Sequence, residues 1–111
     1  MKYLCLVYMA EHTLADVPDS ECLAYGESLR ESGRYVAAEA LQRVTTATTV
    51  RVRNGKVSLT DGPFAETKEQ LAGFYLIDAK DLDDAIEMAA RIPPARVGSI
   101  EVRPVREMSE K

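Results

Sequence analysis

The sequence predicts an α+β sandwich in which two strand–helix–strand halves flank a β-hairpin. Three observations carry that reading. Residues 2–9 and 71–79 are short apolar runs rich in aromatic and branched side chains, as buried strands are. Apolar residues recur at helical spacing after Pro18 and again after Asp81, and each run ends in a glycine or proline stop. Asn54-Gly55, set between two β-branched segments, is the two-residue signal of a type I′ hairpin turn.

Taken in order, residues 2–9 form a continuous apolar strand, and residues 10–18 a loop. Asp16 and Asp19 are candidate N-caps, with Pro18 suited to a first helical turn. Cys22, Tyr25, Gly26 and Leu29 then mark a helix over residues 19–32, stopped by Gly33. A second strand follows at residues 34–41, although its alanines are weak strand formers. In the hairpin over residues 48–60, Val52 faces Val57 and Val50 faces Leu59, with Arg51 and Arg53 on the other side. This single register gathers the branched residues. After the strand at 71–79, Asp81-Leu82-Asp83-Asp84 opens an acid-capped helix with an apolar stripe of Leu82, Ala85, Ile86 and Ala89. Pro93-Pro94 forbids its continuation. A last strand at 99–105 places Ile100 and Val102 on one face and Glu101 and Arg103 on the other. The simplest packing is a ferredoxin-like βαββαβ sandwich with an inserted β-hairpin, both helices covering one face of an antiparallel sheet.

That fold leaves a face uncovered. Two strands are apolar on both sides, whereas the helices cover one side only. Monomers seldom expose apolar patches beyond a few hundred Å² (roughly), so the bare sheet face is expected to pack on a second copy in a two-fold homodimer. The competing expectation is that the loops at 10–18 and 61–70 fold back over it.

With 111 residues, the chain is expected to be a single domain, residues 1–111. The net charge of −4, with scattered Lys and Arg, argues against direct nucleic-acid binding. The apolar run at the N-terminus is too short for a membrane span. Cys5 and Cys22 lack metal or disulfide-scaffold spacing, which suits free thiols in a reducing cytoplasm.

Residues 61–69, Asp-Gly-Pro-Phe-Ala-Glu-Thr-Lys-Glu, followed by Gly73-Phe74-Tyr75, resemble the signature of the DGPF branch of the YCII-related family. Thr46 to Arg51 and the closing Glu101-Val102-Arg103-Pro104-Val105 fit as well, so the resemblance spans almost the whole chain. It implies a ferredoxin-like fold forming a dimeric α/β barrel. It also implies a poorly defined function, with relatives fused to or encoded beside extracytoplasmic-function sigma factors. An enzymatic role suspected for the superfamily rests on a histidine near the start of the first helix, acting with an acidic residue. The matching position here is Cys22, and the lone histidine, His12, lies in the preceding loop.

Several side chains are candidates for chemistry, each with a structural alternative. Asp61 can act as a general base or a binding carboxylate; as a turn residue it caps Gly62-Pro63. Lys68 can hold an anionic group of a small polar ligand. Tyr8, Glu39 and Arg103 are placed on or near strands facing the presumed cleft, where Arg103 can pair with Asp61 or Glu39 or bind a carboxylate. Phe64 is expected to anchor its loop in the core or a dimer interface. Glu66 and Glu69 read as binding groups or as solvated ion pairs. Cys22, near a helix N-terminus, reads as a nucleophile of lowered pKa or as a small apolar core residue. His12 has no second ligand at metal spacing, and no cofactor motif is present. Two function classes follow. One is a small dimeric enzyme or small-molecule-binding protein with a polar cleft at residues 61–69. The other is a non-enzymatic regulatory module linked to a sigma factor.

Overall fold

Alternation is the rule that builds the main sheet. In β1 (Lys2–Met9), Tyr3, Cys5, Val7 and Met9 are buried, while Leu4, Leu6 and Tyr8 between them are half-buried. The same alternation in β5 (Gln70–Asp78) buries Tyr75 and Ile77 and leaves Phe74 and Leu76 half-buried. The two strands pair antiparallel, Cys5 opposite Tyr75 and Leu6 opposite Phe74. β2 (Tyr35–Ala40) pairs with the far edge of β5, and β6 (Ser99–Pro104) with the far edge of β1. The order is β2-β5-β1-β6, antiparallel throughout. This computed structural model describes residues 1–109.

Two helices cover one face. α1 (Asp19–Glu31) sends Leu29 into the core, and α2 (Leu82–Ala90) sends Ala85, Met88 and Ala89. These meet Cys5, Val7, Tyr75, Ile77 and Ile92 in one apolar cluster. Antiparallel strands in this order, with both helices on one side, make a mixed α+β protein compatible with a ferredoxin-like fold. The helices are tied to each other as well as to the sheet. The Tyr25 hydroxyl donates to the Met88 carbonyl at 2.6 Å, and its ring meets Tyr75 edge-on at 5.3 Å. Arg34, just past α1, donates to Asp84 in the first turn of α2 at 2.7 Å.

The helix termini refine the sequence reading. α1 ends in a Schellman motif: Gly33, at φ 75°, donates to Arg30, and Arg34 donates to Leu29. Neither Asp16 nor Asp19 caps its start. Pro18 occupies the N-cap with no side-chain bond, and Asp19 is the first helical residue. Proline supplies the extended backbone needed there, and the acids of the first turn act through the helix dipole instead. α2 starts as expected, the Asp81 side chain accepting from the Asp84 amide at 2.9 Å. Its buried stripe is rotated, however. Met88 replaces Leu82 and Ile86, which stand about half exposed. The Met88 thioether accepts from Arg34 at 3.5 Å, and its backbone carbonyl accepts from the Tyr25 hydroxyl.

β3 (Thr48–Arg53) and β4 (Lys56–Asp61) form a separate two-stranded sheet. Val52 pairs with Val57 and Val50 with Leu59, around Asn54 and Gly55 at φ 51° and 74°. That is the type I′ geometry and the register read from the sequence. The ribbon touches the main sheet only sparsely. The radius of gyration is accordingly 15.8 Å, against about 13 Å for a compact domain of this length. The chain is a plate of 46 × 45 × 19 Å.

Candidate functional site

The gap between α1 and the β2–β5 edge of the sheet is a cavity of about 570 Å³, within the range of ligand sites. Its walls are mostly apolar, with Leu14, Cys22, Gly26 and Tyr75 among them, and Asp19, Arg30 and Glu39 border it. The segment Glu11–Asp16, a short 3-10 stretch, closes one end. Its Leu14 packs on the core, and Val17 after it is buried. Gly26 is the telling wall residue. Glycine in a helix interior costs about 1 kcal/mol relative to alanine, yet a Cβ built there meets nothing within 4 Å. The open space is therefore a property of the cavity, not a packing demand on Gly26.

Burial sets the chemistry of the wall. The Cys22 thiol has a raised pKa, chiefly because burial disfavours the thiolate and then because Asp19 and Glu21 repel it. The hydrogen bond with Tyr75 pulls the other way without reversing the shift. The lowered-pKa reading of Cys22 therefore fails: the acids that favour the start of α1 oppose a thiolate there. The Tyr75 phenol is likewise pushed up, by burial first, and Tyr25 behind it rises to about 12 for the same leading reason. At neutral pH the Cys22 thiol and the Tyr75 phenol of the wall are protonated hydrogen-bonding groups, beside the acidic residues Asp19 and Glu27. Arg30 lies over the Tyr35 ring at 4.3 Å and donates to Glu27 at 2.8 Å.

The residues singled out in the sequence are not gathered in one place. Glu39 borders the cavity at the β2 edge, but its register opposite Phe74 sets it in the row of the helix-free face. Arg103 stands on the opposite edge strand, β6, so about 14 Å of sheet separates them. The expected pairing with Glu39 cannot form within one chain, and Arg103 has Glu101 as its neighbour at 3.6 Å. Tyr8 is on β1, opposite Leu71, on the helix-free face. Asp61 ends β4, and Lys68 lies in the exposed loop beyond it; neither lines the cavity. Among the described residues no side-chain hydrogen bond to Asp61 holds the Gly62 turn. Gly62, at φ 103°, instead donates to the Ala47 carbonyl at 2.7 Å and accepts from the Thr49 hydroxyl at 3.0 Å. Phe64 is not a core anchor. It is 78% exposed, with Arg51 over its ring at 5.4 Å. Glu69 accepts from Ser99 at 2.6 Å, fastening the end of the loop to β6. His12 is exposed in the 3-10 segment.

Sequence reasoning missed the cavity because its signal is a lack. Gly26, flanked by Cys22 and Tyr25, reads as part of a core stripe unless its absent side chain is taken as space.

Fold and cavity define a small α+β protein with a largely apolar slot between its first helix and its sheet. The chain belongs to the YCII-related family: the YCII-related domain matches residues 1–109. It is also 47% identical over 77 residues to a Rhizobium meliloti (strain 1021) protein named "Uncharacterized protein R00369". The matched stretch is 68% of this chain and 62% of that relative, so this chain spans under two thirds of its length. Among the described residues no helix is long and apolar enough to cross a membrane.

Proposed function

We propose that this chain is a DGPF-branch member of the YCII-related family that binds an organic small molecule in the cavity beneath α1, as a homodimer. The cavity beside Gly26 is the observation that carries the reading. A helix tolerates the cost of that glycine where the space it leaves is used. The apolar wall suits the hydrocarbon or aromatic body of a ligand, and the Cys22 thiol and Tyr75 phenol suit neutral hydrogen bonds. Cys22 stands where relatives are expected to carry the histidine of an acid–base pair, and its protonated thiol favours binding over catalysis. The function thus centres on the α1 cavity rather than on the loop at residues 61–69.

The dimer draws support from the sheet. Leu4, Leu6, Tyr8, Phe74 and Leu76 lie on the face that no helix covers. The 3-10 segment packs on the helix side, and most of the loop after β4 is exposed. Two such faces in contact give the two-layered barrel that the family resemblance implies.

A thermal-shift screen of small aromatic and aliphatic compounds tests the binding site. Wild-type protein should give compound-dependent increases in Tm of about 10 °C at saturating ligand, what a 100-fold excess over Kd delivers for a domain of this size. Gly26→Phe, which fills the cavity, should abolish them while keeping a folded circular-dichroism spectrum, and Asp61→Asn should leave them unchanged. Shifts lost in Asp61→Asn and kept in Gly26→Phe would return the site to the loop.

A further inference from the structure

The β3–β4 ribbon is the one element that the rest of the chain does not explain. Val50, Val52, Val57 and Leu59 share one side of it and are 57–68% exposed. An isolated two-stranded ribbon is at best marginally stable in water, and a contiguous exposed apolar stripe marks a contact surface. Among the described residues these four side chains stand exposed, since the ribbon stands off from the main sheet.

Charge points to the occupant. The ribbon holds Arg51, Arg53 and Lys56 against the single carboxylate of Asp61, a net +2. The whole chain, with 14 basic and 18 acidic residues, is at −4, so everything outside the ribbon carries −6. The sheet repeats this contrast locally. One row across its helix-free face reads Glu39, Phe74, Leu6, Glu101, an apolar centre closed by a carboxylate on each edge strand. Arg103 answers Glu101 at 3.6 Å, whereas Glu39 has no ion pair among the described residues.

We propose that the hairpin is an arm that grips a second copy of this chain, laying its valine–leucine side across the rim of the partner's helix-free face. The proposal rests on the homodimer above and adds to it a specific clamp. Both halves of the contact are present on one chain, so a two-fold axis forms it twice and buries both ribbons at once. The central face-to-face contact covers Leu6 and Phe74, and the arms reach the β2 edge, where the Glu39 carboxylate has no ion pair among the described residues. Arg51, Arg53 and Lys56 lie on the ribbon's other face, so the charge of the arm favours encounter with the acidic body of the partner at long range, and the apolar side makes the contact.

Sedimentation equilibrium of the full chain tests this. Wild type should be a dimer whose Kd rises between 50 and 500 mM NaCl. Val52→Asp/Leu59→Asp should raise the Kd by about 100-fold or more, the scale expected when two large buried apolar contacts are lost. Arg51→Glu/Arg53→Glu, which leaves the apolar stripe intact, should raise it about 10-fold and remove most of the salt dependence. Ile86→Asp, on α2 across the sheet, should leave it unchanged. An unaltered core spectrum in each variant separates a lost clamp from unfolding. A wild-type dimer whose Kd neither hairpin variant moves overturns the clamp and leaves the dimer standing, including the case where another protein covers the stripe. A wild-type monomer overturns both.

Discussion

The main sheet and the hairpin obey the same alternation with opposite results. In β1 and β5 every second side chain is enclosed, and Cys5 and Ile77 are essentially inaccessible. In β3 and β4 the alternation is as regular, yet nearly every residue is exposed. The ribbon is specified locally, by its turn and its cross-strand pairs. The sheet is specified by partners far along the chain, because β1 is central and pairs with β5 and β6. Regular pairing is therefore separable from burial. The body folds around its own core, while the ribbon is shaped in advance and waits for something to cover it.

The body should break at its closest approaches. Gly98, just before β6, leaves no room for a side chain, and a Cβ there would overlap the Tyr8 carbonyl oxygen. That oxygen is backbone in the central strand, so relief requires moving β1 itself. Gly98→Ala should destabilise the protein by about 3 kcal/mol, the upper part of the overpacking range, measured by urea unfolding. Gly73→Ala, whose Cβ would lie 2.8 Å from the Glu39 carbonyl on the edge strand β2, should cost less. An edge strand can shift outward where a central one cannot.

A weaker handle on the body is the clasp between Arg34 and α2. The Asp84 carboxylate accepts from the Lys80 amide at 2.9 Å and from Arg34 at 2.7 Å. Its pKa is lowered by these two bonds, the backbone one first. A carboxyl with a depressed folded pKa stabilises the native state at any pH above its unfolded value, near 3.8 here, and loses that contribution as pH falls through the folded value. Asp84→Asn should lower the Tm by a constant amount from pH 5 to 8. The gap to wild type should close below pH 4. A gap that stays open in acid would assign the loss to packing rather than to charge.

Sequence patterns reached the elements that depend on near neighbours. Asn54-Gly55 gave the ribbon register, Gly33 the end of α1, and Asp81 the start of α2. They failed where a long-range partner decides. Leu82 and Ile86 have the right spacing for a buried stripe, but the core beneath α2 is shaped for Met88. Phe64, the aromatic of residues 61–69, reads as an anchor in the core or in a dimer interface; the core reading fails, since it lies outside against Arg51. Glu39 and Arg103 both fall on strands, but the strand order sets them at opposite edges of the sheet. Of the candidate residues, Cys22 lines the cavity and Glu39 borders it at the β2 edge, in a row that faces away from the helices. Periodicity gives the face on which a residue sits. It does not give the neighbour across the gap.

The smallest effect expected on the body is also the sharpest separation of the two regions. Gly55 sits at φ 74° in the ribbon turn, a conformation that costs a residue with a Cβ about 1 kcal/mol. A Cβ there meets nothing within 4 Å, so the penalty is purely one of backbone. Gly55→Ala should raise the hydrogen-exchange rates of ribbon amides about 5-fold, which is 1 kcal/mol of local opening. In a dilute sample, where the proposed dimer is dissociated, exchange of the β1 and β5 amides should not change, because ribbon and sheet share little contact. In the proposed dimer, the same substitution should also loosen the partner-facing side chains, since an arm that frays grips less well. A uniform rise across both regions in dilute solution would show that the ribbon is part of the cooperative core after all, and that its exposed stripe is already supported from within one chain.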